Sequence, residues 1–112
     1  MSNRISNTVK GPNCLHNLVL SLVLTFQWYA ATKTGGKRIE YRAMSAWWKP
    51  RIWELRSEIT HVRFYRGMTK ETLEFLVDKI DIGPCPIPKW KGQYYRIHFS
   101  QNTKLINKAK PV

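Results

Sequence analysis

Acidic side chains are scarce in this sequence and are confined to its middle. Asp and Glu number 7 against 19 Lys and Arg, which gives the 112 residues a net charge of +12. All the acids lie between Glu40 and Asp81, so both ends of the chain carry only basic charge. Such a distribution attracts polyanions, and it favours a nucleic acid, a nucleotide or an acidic protein surface as the partner.

Cysteine and the common catalytic motifs are also scarce or missing. Cys14 and Cys85 form no C-x-x-C pair and have no ligand spacing with a histidine, so we expect two free thiols, no metal site and a reducing, cytoplasmic location. The sequence has no phosphate-binding loop, serine-hydrolase elbow, zinc-protease motif or carboxylate cluster for Mg²⁺. We therefore expect no cofactor.

No apolar run is long enough to span a membrane as a helix. The segment 18–24, LVLSLVL, is far shorter than the roughly 20 residues that such a helix needs. With Arg4 and Lys10 before it and Ala30-Ala31 after it, the segment has the outline of a signal peptide. Its removal would delete the most strand-like part of a small domain, so we favour a first strand buried on both faces. We expect no membrane association, with a signal segment as the alternative.

The length predicts one domain with one modest core. We expect a flexible basic arm over residues 1–13, the domain over 14–101 and a basic tail over 102–112. Alternation and turn signals predict strands over 18–25, 37–42, 59–65, 73–82 and 93–99. Segment 73–82 also fits a helix, but its bounding turns and β-branched residues favour a strand.

The remaining segments are a helix and two irregular connections. Residues 26–34 are predicted to form a helix with Thr25 as its N-cap, residues 43–56 a short helix or an irregular loop, and residues 83–92 a proline-rich loop. One strand, one helix and then several strands predict an α+β fold, a small β-barrel of about five strands with one or two short helices.

The most informative stretch is GGKRIEYR, residues 35–42. Lys37 follows two glycines, so its backbone and amine can approach a phosphate closely. Arg42 offers a planar fork for phosphate or a base edge, and Glu40 shares a strand face with Arg42 and is placed to orient it. The alternative is a solvated strand face whose salt bridge contributes at most about 1 kcal/mol.

The spacing G-x-K-x-x-E-x-R, after a strand and a helix, resembles the hallmark motif of the ASCH domain (activating signal cointegrator homology), a branch of the PUA-like superfamily. The resemblance extends through WWKPRI, HVRFYRG and YYRIHF and covers residues 18–100. It implies a small PUA-like barrel with a cleft beside the motif and a link to RNA binding, RNA processing or work on modified nucleosides. By their positions in the motif, the resemblance implies a cleft formed at Gly35, Lys37, Glu40 and Arg42. It also implies that Arg66 approaches this cleft from the neighbouring strand.

Aromatic residues beside basic ones supply further candidates for binding. Aromatic rings stack on unpaired bases while neighbouring cations hold phosphates. Trp47, Trp48 and Tyr65 are the candidate stacking rings, and Trp90 between two lysines is a weaker one. His61 and His98 are read as packing or surface residues.

Three functions are compatible with these features, and binding of RNA or a nucleotide is the one we favour. The second is a ribonuclease or modified-nucleoside hydrolase with Lys37 and Glu40 as catalytic residues. ASCH domains that resemble acetylcytidine amidohydrolases carry a threonine nucleophile where this chain has Glu40, and a carboxylate is a poor substitute for that hydroxyl. The third is a regulator or phage-type inhibitor whose basic surface binds an acidic protein.

Overall fold

Five strands and one α-helix organise residues 18–100, which are the residues that the computed structural model of the protein describes. In chain order they are β1 (Leu18–Leu24), α1 (Phe26–Lys33), β2 (Ile39–Ala43), a π-helical turn (Lys49–Trp53), β3 (Ile59–Arg66), β4 (Thr72–Pro84) and β5 (Gln93–Phe99). The predicted arm 1–13, the first residues of the predicted domain with Cys14, and the predicted tail 102–112 lie outside the described residues.

The strands form one mixed sheet in the order β1-β3-β4-β5-β2. β1 runs parallel to β3, and the other neighbouring strands are antiparallel. β1 and β2 are therefore the two edges of the sheet, and the sheet curls into a half-barrel. The prediction of a small α+β, barrel-like fold with about five strands is confirmed.

The long strand β4 turns the sheet. Its first half pairs with β3 through residues 72–76, and its second half pairs with β5 through residues 77–84. The pairing register shifts between Val77 and Lys79, as it does at a bulge, which bends a strand and increases its twist. One continuous strand thus serves both halves of the sheet.

Most of the predicted elements are present with small changes of boundary. Segment 73–82 is a strand, as predicted, and it continues to Pro84, two residues into the segment that we predicted as loop. The N-cap is also confirmed, because the Thr25 hydroxyl accepts a hydrogen bond from the backbone N–H of Trp28 at 3.4 Å. Cys85 is a buried free thiol.

The expectation that β1 is buried on both faces is wrong. Leu20, Leu22 and Leu24 are buried, whereas Val23 is 51% exposed and Leu18 also faces solvent. β1 is an edge strand, and its continuous apolar sequence packs against the core on one face only. Its buried leucines join Phe64, Phe75 and Phe99, whose ring centroids lie 4.8–5.9 Å apart.

Candidate functional site

The charged side chains of β2 point toward the inside of the half-barrel. Glu40 pairs with Ile97 and Arg42 with Tyr95, and both partners on β5 are buried. Directly opposed residues share a face of the sheet, so Glu40 and Arg42 lie on the core side. Glu40 is only 6% exposed, so the alternative of a solvated strand face is wrong.

Two cations neutralise the buried carboxylate of Glu40. Lys37 Nζ donates to Oε1, and Arg42 Nε donates to Oε2 at 2.8 Å. The side chains of Lys37 and Arg42 are themselves only 14% and 19% exposed. A buried carboxylate is tolerated only when its charge is paired and hydrogen-bonded, and this arrangement meets both conditions. We call Lys37, Glu40 and Arg42 the inner cluster.

Aromatic rings surround the cations of the inner cluster. Lys37 Nζ lies 5.7 Å from the ring centroid of Phe64 and 6.0 Å from that of Phe99, within the range of a cation–π interaction. Arg42 Cζ lies 5.2 Å from the ring of Trp48, which packs against the core. These ring contacts stabilise the two cations and leave their positive charge unchanged.

Arg42 also connects the two edges of the sheet. Its Nη2 donates to the backbone carbonyl of Val23 on β1 at 3.0 Å. β1 and β2 are not paired as strands, so this side chain bridges the seam between them. The inner cluster therefore lies where the half-barrel is open.

A cleft of about 550 Å³ occupies this seam. The inner cluster lines it together with residues of the end of β1, the start of α1, β2, the loop before β5 and β5 itself: Val23, Leu24, Thr25, Trp28, Tyr41, Ala43, Ile87, Lys89, Trp90 and Tyr94. The rings of Trp90 and Tyr94 lie 5.5 Å apart. The site is thus an aromatic cleft with a charged wall.

The structure gathers some of the predicted site residues and separates others. Gly35, at a φ of 92°, lies in the turn that follows α1 and leads to Lys37. Trp48 contacts Arg42, whereas Trp47 is 59% exposed, and neither of the two is among the described residues that line the cleft. Neither Tyr65 nor Arg66 is among the described residues that line the cleft.

Arg66 instead lies over the ring of Phe26, with its Cζ 3.9 Å from the ring centroid, so the expectation that it approaches the cleft is wrong. Sequence reasoning missed Thr25 and Trp28, because α1 reaches the cleft only through tertiary packing. The structure places Trp90, a weaker candidate in the sequence, in the lining of the cleft.

A second acid-centred cluster lies on the opposite face of the sheet. Asp81 on β4 accepts two hydrogen bonds from Arg96 on β5, at 2.8 and 2.9 Å, and lies 3.0 Å from His98 Nε2. The bond from Arg96, followed by that from His98, lowers the pKa of Asp81 from 3.8 to about 2. We call Asp81, Arg96 and His98 the outer cluster. His98 is thus a partly buried partner of Asp81.

Comparison with known proteins gives no relative for this chain: no family model, no curated protein and no solved structure matches it. Within residues 18–100, no helix is both long enough and apolar enough to cross a membrane. In the same part of the chain, no three His, Cys, Asp or Glu side chains are grouped so that they could hold a metal ion.

Proposed function

We propose that this protein binds RNA or a nucleotide in the seam cleft, as an ASCH domain of the PUA-like superfamily. The observation that carries the proposal is the inner cluster, which places two cations beside aromatic rings in one cleft. The motif that suggested the family supplies all three members of that cluster. The strand and helix that precede it, and the half-barrel around it, support the same assignment.

The charge of the cleft suits a phosphate group. Lys37, Glu40 and Arg42 together carry one net positive charge, and Lys89 in the cleft lining adds another. Lys37 has three N–H donors, of which one is directed to Glu40. Arg42 uses Nε and Nη2 for Glu40 and Val23, which leaves its Nη1 group for a ligand. Glu40 thus orients two cations that still have N–H donors for a ligand.

The other walls of the cleft suit a nucleobase. Trp28, Trp90 and Tyr94 line it, and aromatic side chains of this kind stack on bases. A volume of about 550 Å³ falls within the range of pockets that take small organic ligands. Aromatic walls and a cationic wall together favour a nucleotide over an inorganic anion or a purely apolar ligand.

The geometry favours binding over catalysis. Both carboxylate oxygens of Glu40 already accept hydrogen bonds, one from Lys37 and one from Arg42. A carboxylate held in this way orients its two cations, and neither oxygen is kept for a substrate proton. A ribonuclease or nucleoside hydrolase of the same fold is the alternative, and it requires turnover that depends on both Lys37 and Glu40.

The test is calorimetric binding of the four ribonucleoside 5′-monophosphates and of a single-stranded RNA octamer to the full chain. We expect Lys37→Gln to weaken binding roughly tenfold or more, because it removes a charge-assisted bond to phosphate. Lys79→Gln is the matched control, because it removes the same charge from an exposed lysine outside the cleft. Circular dichroism verifies that both variants fold.

Salt dependence separates this proposal from its competitors. RNA affinity is expected to fall with salt by about 0.7 in the log–log slope for each phosphate contacted. Equal losses in Lys37→Gln and Lys79→Gln, or no binding at low salt, would overturn the proposal. Turnover of RNA or N4-acylated cytidine that disappears in Lys37→Gln and Glu40→Gln would assign the cleft to catalysis instead.

A further inference from the structure

Two tryptophans of this protein carry the same kind of arginine partner. Arg51 Cζ lies 3.4 Å from the ring centroid of Trp47, and its Nη1 donates to the Trp47 carbonyl at 2.7 Å. Arg56 Cζ lies 3.9 Å from the ring of Trp53, and its Nη1 donates to the Trp53 carbonyl at 2.6 Å. In each pair the backbone bond holds the guanidinium over the indole.

Packing explains only one of these two pairs. The Trp53 ring stacks on Tyr95 with centroids 5.7 Å apart and an angle of 11° between the planes, and it packs against the core. Trp47 is 59% exposed, and its ring contacts are Arg51 and the edge-on ring of Trp48. Among residues 18–100, Arg51 forms no ion pair with an acid. The exposed pair is therefore available to a ligand.

The exposed pair of Trp47 and Arg51 is connected with the cleft through Trp48. Arg42, which lines the cleft, lies 5.2 Å from the ring of Trp48, and Trp48 lies 6.5 Å from the ring of Trp47. Two contacts thus connect a cation of the cleft with the exposed indole. The segment that carries Trp47 directly follows β2, so its position is tied to that of the inner cluster.

We infer that Trp47 and Arg51 form a second nucleotide subsite, so that the ligand is a single strand of at least two nucleotides rather than a free mononucleotide. This inference rests on the proposed function of the cleft. Single-stranded nucleic acid is bound by aromatic rings and arginine planes that stack bases, with cations nearby for the backbone. Arg51 and Trp47 supply these elements beside a site proposed to hold one nucleotide.

The test compares a mononucleotide with a tetranucleotide of the same base, in the full chain and in matched variants. We expect Trp47→Ala to weaken tetranucleotide binding about tenfold, in line with the loss of one stacked base, and to leave mononucleotide binding within twofold. Arg51→Gln should act in the same direction. Arg56→Gln is the matched control, because it removes the same group from the packed Trp53 pair, and it should leave the affinity for both ligands unchanged.

The outcomes separate this inference from the proposed function. A selective loss of tetranucleotide affinity in Trp47→Ala supports the second subsite. Equal losses for both ligands, or no loss for either, overturn the second subsite and leave the cleft assignment standing. If the unaltered protein binds neither ligand, the proposed function fails and this inference fails with it.

Discussion

The inner and outer clusters are chemically alike and lie on opposite faces of the same sheet. In each, basic side chains hydrogen-bond to one carboxylate: Lys37 and Arg42 to Glu40, and Arg96 and His98 to Asp81, which also has the more distant Lys79 as an ion-pair partner at 3.9 Å. The inner carboxylate is 8% exposed as a side chain and the outer one 31%. The same chemistry therefore operates in two different environments.

This difference in burial separates the roles of the two clusters. The outer carboxylate is more accessible to water, so its ion pairs are expected to contribute less to stability than those of the inner cluster, and they connect β4 with β5. The inner cluster has lost most of its water, so its charges depend on each other and act strongly on anything that enters the cleft. The outer cluster therefore connects two strands, whereas the inner cluster is a candidate binding site.

The largest effect that distinguishes the clusters is expected from removal of the inner carboxylate charge. Glu40→Gln leaves Lys37 and Arg42 largely buried without a counter-charge, and we expect it to lower the free energy of unfolding by about 3 kcal/mol. Asp81→Asn is the matched change in the outer cluster and should lower it by no more than about 1 kcal/mol. Urea denaturation of both variants measures the difference. Equal losses would contradict the contrast between the clusters.

A smaller effect is expected from acid. The folded-state pKa of Asp81 is lowered to about 2 from 3.8, so the stability contributed by its ion pairs is present above pH 3.8 and is lost as the pH falls toward 2. We expect unfolding measured across this window to be less acid-sensitive in Asp81→Asn than in the unaltered protein. An identical acid dependence in the two proteins would show that Asp81 is not a source of this effect.

The smallest effect is expected at Gly83. A Cβ atom at this position would collide with the guanidinium of Arg96, which lies against the Gly83 backbone. Gly83→Ala should displace that flexible side chain, with little change in the free energy of unfolding and a rise in the pKa of Asp81 toward 3.8. NMR titration of the Asp81 carboxyl measures the shift. The inner cluster, and nucleotide binding with it, should be unaffected.

Local signals were sufficient to predict much of the chain's secondary structure. Alternating residues predicted β3 and β5, and Thr25 marked the start of α1 because its hydroxyl can cap a free backbone N–H. The motif from Gly35 to Arg42 contains all three residues of the inner cluster. Alternation also predicted that Glu40 and Arg42 share a face, and their hydrogen bond is consistent with it.

The sequence alone thus determined most of the elements, the charge and the three residues of the inner cluster, because these depend on neighbours in the chain. Only the tertiary structure decided which face of β2 turns inward, because alternation defines two faces and pairing with Ile97 and Tyr95 selects one. It also brought Trp28 and Trp90 to the same cleft and left Arg66 outside it. Those positions depend on the curl of the sheet, which follows from long-range pairing that no local pattern encodes.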